Sequence, residues 1–191
     1  MTKVKTGMFI SKGFHGTVLE RPFMDELAAE SILYDNVKVR HNELQAFYTT
    51  NQMSMADVFA DRYFVDDENQ VIAVLDYSVM SDNAYIIEGD SSGYIEYKGI
   101  EYSMNELLER RELHKELRKD GYEALVLKDH YTTEEGQKCD DVAVLTRSIL
   151  HINGLHIGNE EKVFYNSKEK SIQGLINHFK NNEYSNDRDY C

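Results

Sequence analysis

Three short stretches of this chain carry side chains suited to chemistry. The first is Phe14-His15-Gly16-Thr17, preceded by Gly13, so that two glycines bracket one histidine and one aromatic ring. A plain turn does not need that histidine; a ligand-binding strand end does. The second is Phe47-Tyr48-Thr49-Thr50, with Phe59 eleven residues beyond Tyr48. The third is Asp140-Asp141, which opens the apolar run VAVL. Each stretch reads as a strand end, where a rigid sheet presents binding and catalytic groups. Each also has a plainer reading. His15 can cap a turn, Tyr48 and Phe59 can pack in a core, and the aspartates can be a solvated strand start. Phe47 and Tyr48 point to opposite faces of a strand, so only one of them faces inward.

The elements that would carry these residues follow from periodicity. Residues 6–12 read as a short strand. Residues 22–35 read as a helix, with Met24, Leu27, Ala28 and Ile32 on one face and Asp25 and Glu26 in the first turn. Leu44 to Thr50 reads as a strand. Asn51 then stands at an N-cap position for a helix carrying Met55, Val58, Phe59 and Tyr63. Residues 70–77 (QVIAVLDY) form a strongly apolar, central strand. YIEYKGIEY alternates around a Lys-Gly turn and predicts a hairpin. Residues 103–119 form a charged helix that Gly121 ends, and His114 on it reads as a surface residue. Strands are expected over 123–129 and 141–147, with a polar loop, HYTTEEGQKCD, between them. A last helix covers 168–181, with Ile172, Leu175, Ile176 and Phe179 on one face, and the polar tail 182–191 reads as disordered.

Strands and helices do not alternate regularly enough for a doubly wound sheet, and neither GxGxxG nor GxxxxGK[ST] occurs. The expected class is α+β, with a small split or mixed sheet and flanking helices. The 191 residues suit one domain: a core over 1–150, a strand and helix extension over 151–181, and the tail. The net charge of −13 argues against a nucleic-acid binder, because phosphate affinity comes from Lys and Arg. It leaves open a small anionic ligand held by backbone N–H groups, and a basic protein partner. The two cysteines, Cys139 and Cys191, make no C-x-x-C pair, so no structural metal site is expected. No apolar run approaches a membrane span, and the N-terminus lacks the apolar stretch of a signal peptide. A cytosolic protein with reduced thiols is therefore expected.

In order along the chain stand FHGT, FYTTNQMSMADVFA, VIAVLDYSV, GYEALVLKD and DDVAVLTRSI. This series resembles the ADP-ribosyltransferase fold, the NAD-consuming domain of bacterial toxins, poly-ADP-ribose polymerases and many phage-encoded proteins. The phage and polyvalent-protein branch is the most similar, and the resemblance covers roughly residues 8–150. It implies that His15 hydrogen-bonds a ribose hydroxyl of NAD, that Gly16 lets the nicotinamide amide approach the backbone, and that Thr17 fills the small hydroxyl position. It implies that Tyr48 stacks on nicotinamide and Phe59 closes the other side, with Thr49 and Thr50 beside them. It places a catalytic glutamate at the start of the last core strand, where this chain has Asp141, one methylene shorter, with Asp140 before it. Asp140, or Glu134 or Glu135 of the preceding loop, are the other candidates for that carboxylate. The implied activity is mono-ADP-ribosylation of a protein, with NAD as co-substrate, by a phage or mobile-element protein acting in a bacterial cytoplasm. An inactive domain that binds or inhibits through its acidic face is the rival.

Overall fold

The computed structural model describes residues 2–20, 46–62, 70–89, 93–133, 135–157 and 163–164. The expected helices over 22–35 and 168–181, and the tail over 182–191, lie outside the described residues. What is described is α+β, mostly strands with few helices, arranged as a barrel-like sheet.

The strands are β1 (Lys3–Glu20), β2 (Phe47–Thr50), β3 (Gln70–Glu88), β4 (Tyr94–Tyr97), β5 (Ile100–Ser103), β6 (Ala124–Thr132), β7 (Lys138–Val144), β8 (Leu150–Ile157) and β9 (Val163–Phe164). Helix α1 spans Met53–Asp61 and α2 spans Arg111–Lys119, with a 3-10 turn over Met104–Glu109 before it. The main sheet runs β1-β2-β7-β6-β3-β8-β9, and β1 also pairs with β3, so β1, β2, β7, β6 and β3 form a ring. Ring closure leaves these strands no open edge on that side. Every pairing in the ring is antiparallel except β3 with β6.

Two strands are much longer than their apolar patterns suggest. β1 continues from Lys3 through Phe14-His15-Gly16-Thr17 to Glu20, paired with β3 almost residue for residue. His15 is thus a mid-strand residue, not a strand-end one. β3 continues from the apolar run past Tyr77 to Glu88. Its first half pairs with β8 (Ala73↔Ile157 to Val79↔Leu150) and its second half with β6 (Ala84↔Ala124 to Glu88↔Lys128). One strand therefore changes neighbours midway along one edge within a single sheet, which its short Ser/Asp/Asn interruption at 81–83 hides in the sequence.

The connection from β3 to β6 covers one face. The expected hairpin is present as β4 and β5, with Tyr97 opposite Ile100 and positive φ at both Lys98 (52°) and Gly99 (79°), the two-residue turn that matches strand twist. The charged helix is broken at Arg110 into the 3-10 turn and α2. Gly121, at φ 86°, follows the Asp120 C-cap as a helix-ending glycine does. Leu107, Leu113 and Leu117 pack with Leu125, Leu127 and Leu145 in the main core. His114 is buried with them, against the surface expectation, and its Nε2–H donates to the Leu107 carbonyl at 3.0 Å. That bond satisfies one ring nitrogen, in a helix whose charged sequence had suggested exposure.

No helix of the described residues is long and apolar enough to cross a membrane.

Candidate active site

Helix α1 lies on β1, and its contact face explains one motif glycine. Ala56 and Ala60 are fully buried, whereas Val58 is 50% exposed, so small residues rather than the expected Val58 stripe make the contact. A Cβ added at Gly16 would overlap the Ala56 carbonyl oxygen and stand 3.0 Å from the Ala60 Cβ. Glycine is needed there for helix-on-strand packing, whatever the cleft beside it binds. Gln52, not Asn51, is the N-cap of α1, and it makes no side-chain cap bond. Asn51 instead ties β2 to β7: its N–H donates to the Asp140 carbonyl at 3.1 Å and its Oδ1 accepts the Asp140 N–H at 2.9 Å.

Where β1, β2 and β7 run side by side, a cleft of about 530 Å³ opens. His15, Gly16, Tyr48, Thr49, Thr50, Phe59 and Asp141 all line it, together with Arg62, Glu109, Arg111 and Tyr131. The three separated motifs thus meet at one place. Thr17 and Asp140 do not line it. Glu135 is exposed in the β6–β7 turn, where Gln137 approaches it at 3.5 Å, and Glu134 lies outside the described residues.

His15 is buried, its ring 4.4 Å from that of Phe47. Its Nδ1 is 2.8 Å from the Tyr48 carbonyl oxygen. A carbonyl only accepts, so Nδ1 carries the hydrogen, and in the neutral ring Nε2 is the acceptor nitrogen. Phe47 is the inward member of the β2 pair, fully buried and edge-on to Tyr77, which leaves Tyr48 for the cleft. The Tyr48 hydroxyl donates to the Leu108 carbonyl. Burial, with Glu109 adding to it, pushes its pKa up to about 12. Tyr48 is therefore a neutral aromatic wall, pinned at both ends.

Phe59 is half-buried. The Arg62 guanidinium lies over its ring at 5.3 Å, and Tyr131 meets it edge-on at 6.1 Å. Arg62 thus occupies one face of Phe59 within the chain. Tyr131 is an aromatic of the cleft that the sequence hides in what reads as a polar loop.

The two aspartates differ sharply. Asp141 pairs with Thr50 across β2–β7 and is buried at the cleft. Its carboxyl is pushed above the usual range by burial; the hydrogen bond from His130, the charge of that ring and the neighbouring Thr50 hydroxyl act against this. His130 Nδ1 stands 2.8 Å from Asp141 Oδ2, and both side chains are almost fully buried. Asp140 is occupied elsewhere: it accepts the Asp129 N–H at 3.0 Å and pairs with the Lys128 ammonium. Its work is to hold a β-bulge in β6. Strand alternation separates the two neighbours in this way.

His130 was not among the expected residues. The loop HYTTEEGQKCD is shorter than it reads, because His130, Tyr131 and Thr132 continue β6, and Lys138, Cys139 and Asp140 begin β7. Cys139 is a buried free thiol. Among the described residues no group of His, Cys, Asp and Glu is arranged to hold a metal ion.

The chain matches no protein-family model, no curated protein and no solved structure. The cleft's own geometry therefore carries the functional reading.

Proposed function

We propose that the protein is an NAD-dependent mono-ADP-ribosyltransferase that modifies a host or partner protein and is encoded by a phage or other mobile element. One observation carries this reading. His15, Tyr48 and Asp141, the residues the resemblance assigns to ribose binding, nicotinamide stacking and catalysis, come from β1, β2 and β7 and line one cleft. Chemistry supports the assignment. Breaking the nicotinamide–ribose bond builds positive charge on the ribose, as in glycoside hydrolysis. A fixed carboxylate at Asp141 stabilises that charge as it forms. The face of Tyr48 suits a pyridinium by stacking and cation–π attraction, and His15 lines the cleft where the resemblance places the ribose. Arg62 and Arg111 supply positive charge at the cleft of a strongly acidic chain, which suits the pyrophosphate of a dinucleotide. A split-sheet core of the ADP-ribosyltransferase kind is part of the same proposal, and β3, with different partners along its two halves, is what supports it.

The rival reading is an inactive domain of the same fold that binds or inhibits through its acidic face. The shorter Asp141 in place of the family's glutamate favours it. The deciding experiment is incubation of the protein with NAD and a bacterial lysate, read by mass gain on lysate proteins and by nicotinamide release. Transfer that Asp141→Asn abolishes supports the proposal. Nicotinamide release without transfer points to an NAD hydrolase, and NAD binding without turnover to the inactive module.

A further inference from the structure

The β6–β7 ladder is regular from Ala124↔Val144 to Leu127↔Asp141, and it resumes at Tyr131↔Cys139. β6 thus spends four steps where β7 spends two. The surplus is absorbed at Asp129, whose φ of 55° is a left-handed conformation that non-glycine residues rarely adopt. Three contacts stabilise it: Asp140 accepts the Asp129 N–H, Asp140 also pairs with Lys128, and Lys138 pairs with Asp129 at 3.0 Å. Without the bulge, strand alternation would put His130 and Leu127 on opposite faces, and Leu127 stands directly opposite Asp141. With it, His130 Nδ1 comes to 2.8 Å from Asp141 Oδ2 in a buried pair. Bulges of this kind re-aim side chains beside functional sites, and a strained residue held by several contacts is a reason to look for a role.

We propose that His130 is the positioning residue of Asp141: its Nδ1–H fixes one carboxylate oxygen, so that the negative charge stays in place at the cleft. The proposal rests on the transferase reading for its consequence, but the coupling itself is a property of this chain. Other groups act on the same spot. Thr50 stands directly opposite Asp141 on β2 and favours its charged form, and Asp140 beside it on β7 repels its charge. Tyr131, next on β6, feels Asp141 together with Arg62 and Glu109, and Cys139 on β7 feels both aspartates. His130 is the group that opposes the burial of the Asp141 charge most strongly. Removing it leaves the carboxylate buried with weaker support, so Asp141 takes up its proton at higher pH.

The test is a carbon-detected NMR titration of the aspartate carboxyls, with the Asp141 signal assigned by its loss in Asp141→Asn. His130→Ala is expected to raise the Asp141 midpoint by about one pH unit. His130→Asn, whose Nδ2–H sits near the place of Nδ1–H, is expected to restore it. The acid limb of the NAD turnover profile should move with the midpoint, with kcat at neutral pH falling by about tenfold in His130→Ala and KM changing little. If His130→Ala does not fold, His130→Asn against His130→Gln makes the same comparison, because Gln carries its donor one methylene too far. An unchanged Asp141 midpoint overturns the proposal, and so does a moved midpoint with an unmoved turnover profile. A wild type that turns over no NAD sinks the transferase reading instead, while the titration still decides the His130–Asp141 coupling.

Discussion

No side chain fits between Gly16 and Ala56. A Cβ on Gly16 would overlap the Ala56 carbonyl oxygen and stand 2.7 Å from its carbonyl carbon. The obstacle is backbone, which cannot rotate away as a side chain can. Gly16→Ala is therefore expected to push α1 off β1 at a cost of roughly 1–3 kcal/mol, the scale of overpacking. Urea unfolding would measure it. A variant as stable as wild type would mean that α1 shifts freely. Because α1 carries Phe59, a displaced helix should also weaken NAD binding.

Tyr48 offers two separable parts. Its hydroxyl holds the Leu108 carbonyl, and its ring lines the cleft. Tyr48→Phe keeps the wall and should cost about 1 kcal/mol of stability, with NAD affinity nearly unchanged. Tyr48→Ala should weaken NAD or nicotinamide binding by roughly 1–3 kcal/mol, the worth of one stacking aromatic. Calorimetry giving equal affinities for wild type and Tyr48→Ala would remove the ring from the site.

Asp141 should set activity against stability. Its folded carboxyl titrates above the ordinary value, chiefly because it is buried. The folded chain therefore holds that proton more tightly than the unfolded chain does. The group's stabilising effect is present at low pH and is lost as pH rises through the folded pKa. Asp141→Asn lacks this loss. Its melting temperature relative to wild type should rise between pH 4 and pH 7, while turnover falls by about 100-fold or more. A melting difference that falls over that interval would reverse the sign argued here.

Asp140 should matter for the bulge and only through it for the cleft. Asp140→Ala removes the acceptor of the Asp129 N–H and the partner of Lys128, and should cost roughly 1–3 kcal/mol in chemical denaturation. Asp140→Asn keeps the acceptor oxygen and should cost less. Its effect on turnover should be much smaller than that of Asp141→Asn.

The residues of the cleft were legible because their types are unusual for their places: a histidine between glycines, a Phe-Tyr-Thr-Thr run, paired acids before an apolar strand. The means of assembling them was not. β1 reads as 6–12 because Lys12-Gly13 looks like a stop, yet its pairing with β3 carries the strand on through that point. His130 and Tyr131 read as loop because their stretch is polar; the bulge at Asp129 is what makes strand and polarity compatible. His114 reads as surface from its charged neighbours, but one helix face decides its burial. Local pattern names residues well; it does not reveal which partner across the sheet each will meet.

The closure of the ring has a consequence in time. Lys3 pairs with Glu88 and Glu20 with Gln70, and Phe47 waits for Val144. Among the described strands of the ring, only β6 and β7 are joined by a short turn. Pairings so distant along the chain are slow to form, since loop closure must precede the gain. On the ribosome, β1 emerges long before β3 exists, with Val4, Met8 and Ile10 on a strand that has no mate. His15 comes from β1 and Asp141 from β7, so the cleft is not complete before β7 has joined the ring. A nascent chain that ends before β7 would lack the cleft.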